Sequence, residues 1–237
     1  MYNTNRLFDE RITEIKILLS VMKNIENGSV QIDGGANDVV PILKSNFLLM
    51  LYNLVEATVV GGLLELHEKV KDSQICYAEL IEELQLVWIR HQISNKSATE
   101  QKLQEIIGRI INNETIVLLN HNPADGKYLD RKTLSNVLRI SGNLDAKEIT
   151  DICERYGIKH TASDVNDDLK RVKDTRNNLA HGNESFGECA REMTLAELEE
   201  IKNGVEKFIK EILDGMTKYC DQKEFLQAKK PRTHKHG

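Results

Sequence analysis

The apolar residues at the start of the chain recur at helical spacing. Between Asn5 and Ile25 they are separated by steps of four, three, four and three residues, at Phe8, Ile12, Ile15, Leu19 and Met22. A stripe of this kind on one side of a helix predicts an amphipathic first helix. Residues 26–41 lack this period and contain three glycines, so we expect an exposed connection there.

The same spacing predicts helices along most of the remaining chain. A helix that is apolar almost all round is predicted over 42–71, and the others over 73–94, 97–119, 131–140, 145–156, 164–181 and 194–219. Capping boxes of the form Ser/Thr-x-x-Glu occupy 97–100 and 194–197, while Gly157 and Gly182 are placed to end two of the helices. The pattern therefore predicts an all-α fold.

The length of the chain, 237 residues, is enough to bury a hydrophobic core in one domain. We place that domain at residues 1–220. Residues 120–160 contain several turn signals, and we expect a small helical insertion there, because about forty residues rarely hold a core alone. Residues 221–237 are basic, and we expect a flexible tail.

The net charge of −5 is unevenly distributed along the chain. Residues 218–237 carry six Lys or Arg against two acidic residues, a balance of +4, so the rest of the chain carries −9. A protein that coats nucleic acid needs a broad basic surface to neutralise phosphates. This charge pattern excludes such a coat and leaves room only for a focused contact with RNA or DNA.

The cysteines and the apolar segments set further limits. The four cysteines are far apart and form no C-x-x-C pair, which is typical of free thiols rather than of a zinc site. No basic stretch followed by an apolar run opens the chain, so we expect a cytoplasmic protein. The most apolar segment, 47–66, contains Asn53, Glu56, Thr58 and Glu65, so we expect a buried core helix and no membrane partner.

One polar side chain interrupts the apolar face of the predicted helix 164–181. At 100° per residue, five apolar residues fall within about 60° of one line and Arg176 falls about 20° from it. Those five are Val165, Leu169, Val172, Leu179 and Ala180. Because an unpaired buried charge is costly, Arg176 requires a carboxylate, a phosphate or a second subunit beside it.

His181 follows Arg176 by five residues and lies about 140° further round an ideal helix. The two side chains converge only if Gly182 distorts the last turn, or if two copies of the helix meet across an interface. A purely structural alternative pairs Arg176 with a core carboxylate such as Glu56, and places His181 near a helix C-terminus, where a cation is mildly favoured. Spacing alone leaves these alternatives open.

The segment Arg176-Asn-Asn-Leu-Ala-His181-Gly-Asn is an Arg-x4-His motif with a polar residue directly after the arginine. It resembles the signature of the HEPN superfamily (higher eukaryotes and prokaryotes nucleotide-binding), particularly its prokaryotic conflict-system branches. The apolar segment 45–58, which contains Tyr52-Asn-x-x-Glu56, is similar to the helix that such proteins place before the motif. The order and length of the predicted helices also fit.

The resemblance implies a helical bundle that dimerises through the motif helix, so that two Arg/His sets form one composite cleft. Active HEPN proteins are metal-independent endoribonucleases that cleave RNA by attack of the 2′-hydroxyl and leave a cyclic phosphate. It implies the catalytic residues Arg176, His181 and Asn177, with possible support from Glu56, Asn53 and Asn178. We expect no cofactor and no metal ion.

Three functions compete at this point. The first is an endoribonuclease that acts on RNA as a homodimer, as a toxin or defence effector of a toxin–antitoxin or abortive-infection system held in check by an antitoxin protein. The second is a non-catalytic HEPN module that binds RNA or a nucleotide, or acts as a dimeric scaffold. The third is a plain helical interaction protein in which Arg176 forms a structural ion pair.

Overall fold

The computed structural model describes residues 1–32, 35–93, 99–118, 140, 143–162 and 165–228. The helices in these ranges are α1 (Tyr2–Glu26), α2 (Ala36–Asp72), α3 (Glu82–Ile93), α4 (Glu100–Ile111), α5 (Ala146–Tyr156), α6 (Asn166–His181), α7 (Phe186–Cys189) and α8 (Leu195–Asp221). A 3-10 turn covers Tyr77–Glu79. The described residues form no strand beyond two isolated β-bridges, so the predicted all-α fold is confirmed.

Helix α2 is the centre of the fold. It packs against α1, α6, α7 and α8, and most of its apolar side chains between Phe47 and Leu66 are buried, as predicted. By length and hydropathy it is the one described helix that could cross a membrane, yet 56% of its most apolar window is buried inside the protein. A Cβ added at Gly62 would lie 2.5 Å from Met216 Sδ, so a larger residue where α8 crosses α2 would force the Met216 side chain to move.

The two long amphipathic helices α1 and α8 pack on α2 through the apolar faces that their sequences predict. All five residues of the predicted α1 stripe are buried: Phe8, Ile12, Ile15, Leu19 and Met22. The capping box of α8 is also confirmed. Thr194 Oγ1 accepts from the Glu197 backbone N–H at 3.1 Å, and Glu197 Oε2 accepts from the Thr194 backbone N–H at 2.7 Å. These bonds satisfy two backbone donors at the start of α8.

Two predicted helix starts are wrong by a few residues. Helix α2 begins at Ala36 rather than at Ile42, and Pro41 is buried within it. Near the start of a helix a proline forfeits one backbone hydrogen bond, so it does not have to end the helix. Helix α4 is capped by Thr99, whose Oγ1 accepts from the Lys102 backbone N–H at 3.3 Å, whereas the predicted cap at residue 97 lies outside the described residues.

The helices predicted over 73–94 and 97–119 are each too long. Gln74, with a φ of +53°, follows the end of α2, and α3 begins only at Glu82, while α4 already ends at Ile111. Cys76 forms a β-bridge with Thr115, and the Ile116 backbone N–H donates to the Ile75 carbonyl at 2.8 Å. These bonds join segments that are far apart in sequence, so apolar spacing does not predict them.

The folded part of the chain continues past the predicted boundary at residue 220. Phe225 is 1% exposed. Its carbonyl accepts from the Ile81 backbone N–H at 3.0 Å, and the Gln227 backbone N–H donates to the Glu79 carbonyl at 2.8 Å. The tail predicted over 221–237 is therefore corrected at its start, and its residues 229–237 lie outside the described residues.

The described part of the predicted insertion is joined to the core. Helix α5 matches the prediction over 145–156, and Gly157 ends it with a φ of +70°. Ile149, Ile152 and Tyr156 are buried, and the Tyr219 hydroxyl donates to the Tyr156 carbonyl at 2.7 Å. Helix α5 is thus part of the main core, while the helix predicted over 131–140 lies outside the described residues except for Ile140.

Candidate functional site

The motif lies in the last two turns of α6, which ends as predicted at Gly182. Gly182 has a φ of +68°, and its backbone N–H donates to the Leu179 carbonyl at 3.2 Å. The Asn183 backbone N–H donates to the Asn178 carbonyl at 2.9 Å, which completes a Schellman motif. Because α6 stays helical through His181, a distorted last turn does not bring His181 round to Arg176.

Arg176 is half-buried and is held from two sides. Its guanidinium carbon lies 4.8 Å from the centroid of the Tyr52 ring on α2, a cation–π contact. Its Nη1 donates to Asn177 Oδ1 at 2.8 Å and to Asn143 Oδ1 at 3.3 Å. Among the described residues no ion pair joins Arg176 to a carboxylate, so the structure does not show the pairing with Glu56 that the structural alternative requires.

The two hydrogen bonds of Arg176 both use Nη1. Within the described ranges, no side-chain or backbone acceptor binds Nε or Nη2. These two nitrogens form the edge of the guanidinium that offers two parallel N–H donors, which match two oxygens of one phosphate. The arginine is therefore fixed at one corner while an anion-binding edge stays unoccupied by described residues.

The residues before α5, which we call the 143–145 connector, surround Arg176. Asn143 contacts Arg176, the Leu144 backbone N–H donates to the Tyr52 hydroxyl at 3.2 Å, and Asp145 Oδ2 accepts from Lys173 Nζ at 2.8 Å. Asn143 thus contacts the guanidinium itself, Leu144 contacts its aromatic partner Tyr52, and Asp145 contacts a lysine one turn earlier on α6.

The Asp145–Lys173 pair is fully ionised at neutral pH. Burial raises the pKa of the Asp145 carboxyl, but the Glu148 backbone N–H and the Lys173 ammonium outweigh it, so the pKa lies below its ordinary value. The Asp145 carboxylate in turn raises the pKa of Lys173. Both groups keep their charge, and the connector stays joined to α6.

His181 is the last residue of α6 and its side chain is exposed. In the part of the chain that the structure describes, no hydrogen bond or ion pair holds its imidazole. A histidine in this position is accessible to a ligand or to a second copy of the chain. It does not share a face of α6 with Arg176.

A family model described as HEPN_MAE_28990-like HEPN matches residues 4–225. The chain belongs to this HEPN family. The matched range includes α1 from its third residue onward, all of α2 through α8, and every residue of the Arg-x4-His motif. Comparisons with curated proteins and with solved structures found no match.

The other predicted residues of this HEPN site fall in different places. Asn177 joins the site through its bond to Arg176, whereas half-buried Asn178 contributes its backbone carbonyl to the end of α6. Glu56 is half-buried one turn after Tyr52, on the same side of α2. Asn53 has an exposed side chain, and its carbonyl accepts from Arg11 Nη1 at 3.1 Å on the α1 side of α2. The structure therefore does not bring Asn53 to the motif.

The predicted apolar face of the HEPN motif helix is buried only in its first part. Leu169 and Val172 are buried, but Leu179 is half-buried and Ala180 is exposed. Arg176 therefore lies where α6 leaves the core, and not in the middle of it. This position explains how a charged side chain is tolerated with amide and aromatic partners alone.

Sequence reasoning missed the residues that hold the HEPN arginine in place. The sequence pattern places Tyr52 in the apolar segment without indicating a role for it, and nothing in the pattern distinguishes residues 143–145. One signal was available, because Lys173 precedes Arg176 and Asn177 by three and four residues and so shares their face of α6. Among the described residues no group of three or more His, Cys, Asp or Glu side chains is arranged to hold a metal ion.

Proposed function

We propose that this HEPN protein is a metal-independent endoribonuclease that cleaves RNA through attack of a 2′-hydroxyl on the adjacent phosphate. The observation that carries the proposal is the state of Arg176, whose Nη1 is fixed and whose Nε–Nη2 edge has no partner among the described residues. A half-buried guanidinium arranged in this way suits a phosphate. The motif adds an accessible imidazole, His181, five residues later.

Arg176 and Asn177 bind the phosphate in this mechanism. The Nε–Nη2 edge donates two hydrogen bonds to the non-bridging oxygens and keeps its positive charge as the pentacoordinate transition state gains negative charge. Asn177 uses its amide oxygen on Arg176, which leaves its amide N–H groups to donate to the same phosphate. Oriented donors of this kind are typically worth about 100- to 1000-fold in rate each.

His181 transfers the proton. A neutral imidazole accepts the proton of the 2′-hydroxyl while the 2′-oxygen–phosphorus bond forms, and an imidazolium donates a proton to the 5′-oxygen as the phosphorus–5′-oxygen bond breaks. The products are a 2′,3′-cyclic phosphate and a 5′-hydroxyl. General acid–base catalysis of this kind contributes about 10²- to 10⁴-fold.

Two copies of the chain complete the site. Arg176 and His181 lie on different sides of α6, so His181 of a second copy meets the Arg176 edge when two α6 helices pack across a two-fold axis. Exposed apolar groups near this end of α6 support such a contact. Ala180 is exposed, Leu179 is half-buried, and Phe186 at the start of α7 is 38% exposed.

The resemblance to conflict-system HEPN proteins supports a cellular role for this activity. We propose a cytoplasmic toxin or defence effector that an antitoxin protein restrains. The net charge of −9 over residues 1–217 supports focused cleavage, because an acidic exterior repels RNA everywhere except at the cleft.

The activity is tested with purified protein and a panel of RNAs in EDTA. We expect wild-type protein to produce 2′,3′-cyclic phosphate ends, and Arg176→Ala and His181→Ala each to lower the cleavage rate by at least about 100-fold. Arg171→Ala is the matched control, because Arg171 is an exposed arginine on the same helix outside the motif.

Two results would contradict the proposal. One is the absence of cleavage across the RNA panel by folded wild-type protein. The other is cleavage that persists unchanged in both motif variants, which would place the activity elsewhere or in a contaminant. Circular dichroism of each variant verifies that the helical fold is retained.

A binding module without catalysis is the second candidate, and one observation favours it. Arg176 is braced by Tyr52, Asn143 and Asn177, whereas no described residue orients His181. A fixed arginine binds a phosphate group of RNA, but a histidine that is not oriented does not catalyse cleavage of the RNA. RNA binding without product, lost in Arg176→Ala, would favour this function over cleavage.

A further inference from the structure

The 143–145 connector, together with Tyr52, contacts three different elements at once. Asn143 accepts from Arg176, and Leu144 donates to the Tyr52 hydroxyl. Asp145 uses both carboxylate oxygens: Oδ1 accepts from the Glu148 backbone N–H at 2.9 Å, and Oδ2 from Lys173 Nζ at 2.8 Å. The connector therefore joins the start of α5 to α6 and α2 around one guanidinium.

We infer that the 143–145 connector positions Arg176 for phosphate binding, and that Tyr52, Asn143 and Asp145 are the positioning residues. This inference rests on the proposed role of Arg176 at the phosphate. None of the three residues occupies the Nε–Nη2 edge, so they act on the ligand through the arginine.

Arg176 needs positioning residues because an arginine side chain is flexible. A free arginine side chain samples many rotamers and loses part of this rotamer entropy when it binds a ligand in one geometry. Here the ring of Tyr52 limits the guanidinium plane from one face, and two amide oxygens fix Nη1. The ligand then meets an edge that is already oriented.

Tyr52 is the fixed base of this arrangement. Its side chain is 1% exposed within α2, and its hydroxyl accepts the Leu144 backbone N–H at 3.2 Å. A single rigid side chain therefore contacts the connector with its hydroxyl and the guanidinium with its ring. Movement of the connector relative to α2 would break the Leu144 bond, and movement relative to α6 would break the Asn143 bond.

Asp145 links the connector to the motif helix through charge. Lys173 lies one turn before Arg176 and Asn177, so its ion pair with Asp145 holds the connector against the same face of α6. The Asp145 side chain also caps α5, and an asparagine caps a helix equally well. Asp145→Asn therefore removes the ion pair while it keeps the cap.

Two variants test the inference in the full-length protein. Asn143→Ala removes an acceptor of Arg176 at an exposed position, and Asp145→Asn removes the ion pair with Lys173. Lys147→Ala is the matched control, because Lys147 is an exposed residue of the first turn of α5 outside the connector.

The first measurement follows Arg176 without any RNA. The Nε–Hε signal of Arg176 is assigned in NMR spectra by its absence in Arg176→Ala, and we expect the ring current of Tyr52, 4.8 Å from the guanidinium carbon, to shift it. We expect Asn143→Ala and Asp145→Asn to move this signal toward the position of a solvated arginine, and Lys147→Ala to leave it unchanged. An unchanged signal in both connector variants would overturn the inference.

The second measurement is the Kd for an RNA made uncleavable by 2′-O-methylation. We expect Asn143→Ala and Asp145→Asn to weaken binding roughly tenfold in the wild-type background, and to have no further effect in Arg176→Ala. Equal weakening in both backgrounds would overturn the inference, because it would show a structural role that does not pass through Arg176.

The two measurements separate this inference from the proposed function. If folded wild-type protein neither binds nor cleaves RNA while the Arg176 signal moves in the connector variants, the proposed function is contradicted and the positioning of Arg176 is supported. If RNA is cleaved and the signal and the Kd do not respond to the connector, the proposed function is supported and the inference is overturned.

Discussion

His67 on α2 is a buried titratable residue away from the motif. Its Nε2 lies 2.9 Å from the Tyr156 hydroxyl, while Nδ1 has no hydrogen-bond partner in the described structure. The imidazole of His91 lies nearby, with 5.9 Å between the ring centroids. Burial, with a smaller contribution from the charge of His91, lowers the pKa of His67 to about 3. The residue is therefore neutral in the folded protein at every pH near neutrality.

This burial predicts an acid-sensitive fold. The pKa of histidine in the unfolded chain is 6.5. Below that pH the unfolded chain binds a proton at this residue, whereas folded His67 binds it only near pH 3. The free energy of unfolding should therefore fall as pH decreases through this window, by up to about 1.4 kcal/mol per pH unit from this residue. Urea unfolding at several pH values measures this decrease in the free energy of unfolding.

His67→Gln isolates the histidine from the carboxylates that titrate in the same window. Glutamine retains a polar group for the Tyr156 hydroxyl and carries no titratable proton. The variant should show a shallower decline of stability between pH 6.5 and pH 4 than the wild type. Parallel curves for the two proteins would contradict the assignment.

At the scale of single residues, sequence analysis located the motif but not its surroundings. Arg176, Asn177 and His181 were identified because their spacing is local. Their partners were not, because Tyr52 and Asn143 reach Arg176 only through the packing of α2 and α5 against α6. Asn53 lies away from the motif, because it follows Tyr52 directly and an adjacent helical residue points about 100° away.

At the scale of helices, the last turn of α6 depends on Gly182. Its φ of +68° is strained for any residue with a Cβ, although a Cβ there would meet no atom within 4 Å. Gly182→Ala should therefore lower the free energy of unfolding by about 1 kcal/mol through backbone strain alone. Gly182→Asn should cost less, since asparagine tolerates this conformation.

Chemical denaturation of the two Gly182 variants measures this difference. If alanine and asparagine have equal effects, left-handed strain does not set the stability of this helix end. RNA cleavage by the variants should follow the same order, because Gly182 directly follows His181 and fixes where the helix stops.

Helices were predicted well where local signals frame them. Thr194, Gly157 and Gly182 marked ends that the structure confirms. The first half of the predicted helix 73–94 was wrong because its backbone pairs with 115–116 and 225–227, which are distant in sequence. Helix α7 was missed, although Ser185-x-x-Glu188 is a capping box of the kind that identified α8.

At the scale of the whole molecule, the proposed cleft requires two chains, and complementation tests it. Arg176→Ala and His181→Ala are each expected to be inactive. When they are mixed under conditions that exchange subunits, about half of the dimers are mixed, and each mixed dimer holds one intact pair of Arg176 from one copy and His181 from the other. Cleavage should recover to about one quarter of the wild-type rate.

Light scattering provides the control for this experiment. The wild type should be a dimer at micromolar concentration, and so should both variants. A monomer that cleaves RNA would contradict the composite cleft, and so would dimers whose mixtures stay inactive.

The late position of α8 in the sequence affects how the chain folds during its synthesis. Helix α8 contributes a large share of the buried core on α2, and residues 225–227 then pair with 79–81. These are contacts of high sequence separation, which form late and slowly in folding. A growing chain that has already synthesised the motif still lacks the helix that covers α2. The native core is therefore complete only after α8 has left the ribosome, and until then the part of α2 that α8 covers exposes apolar surface.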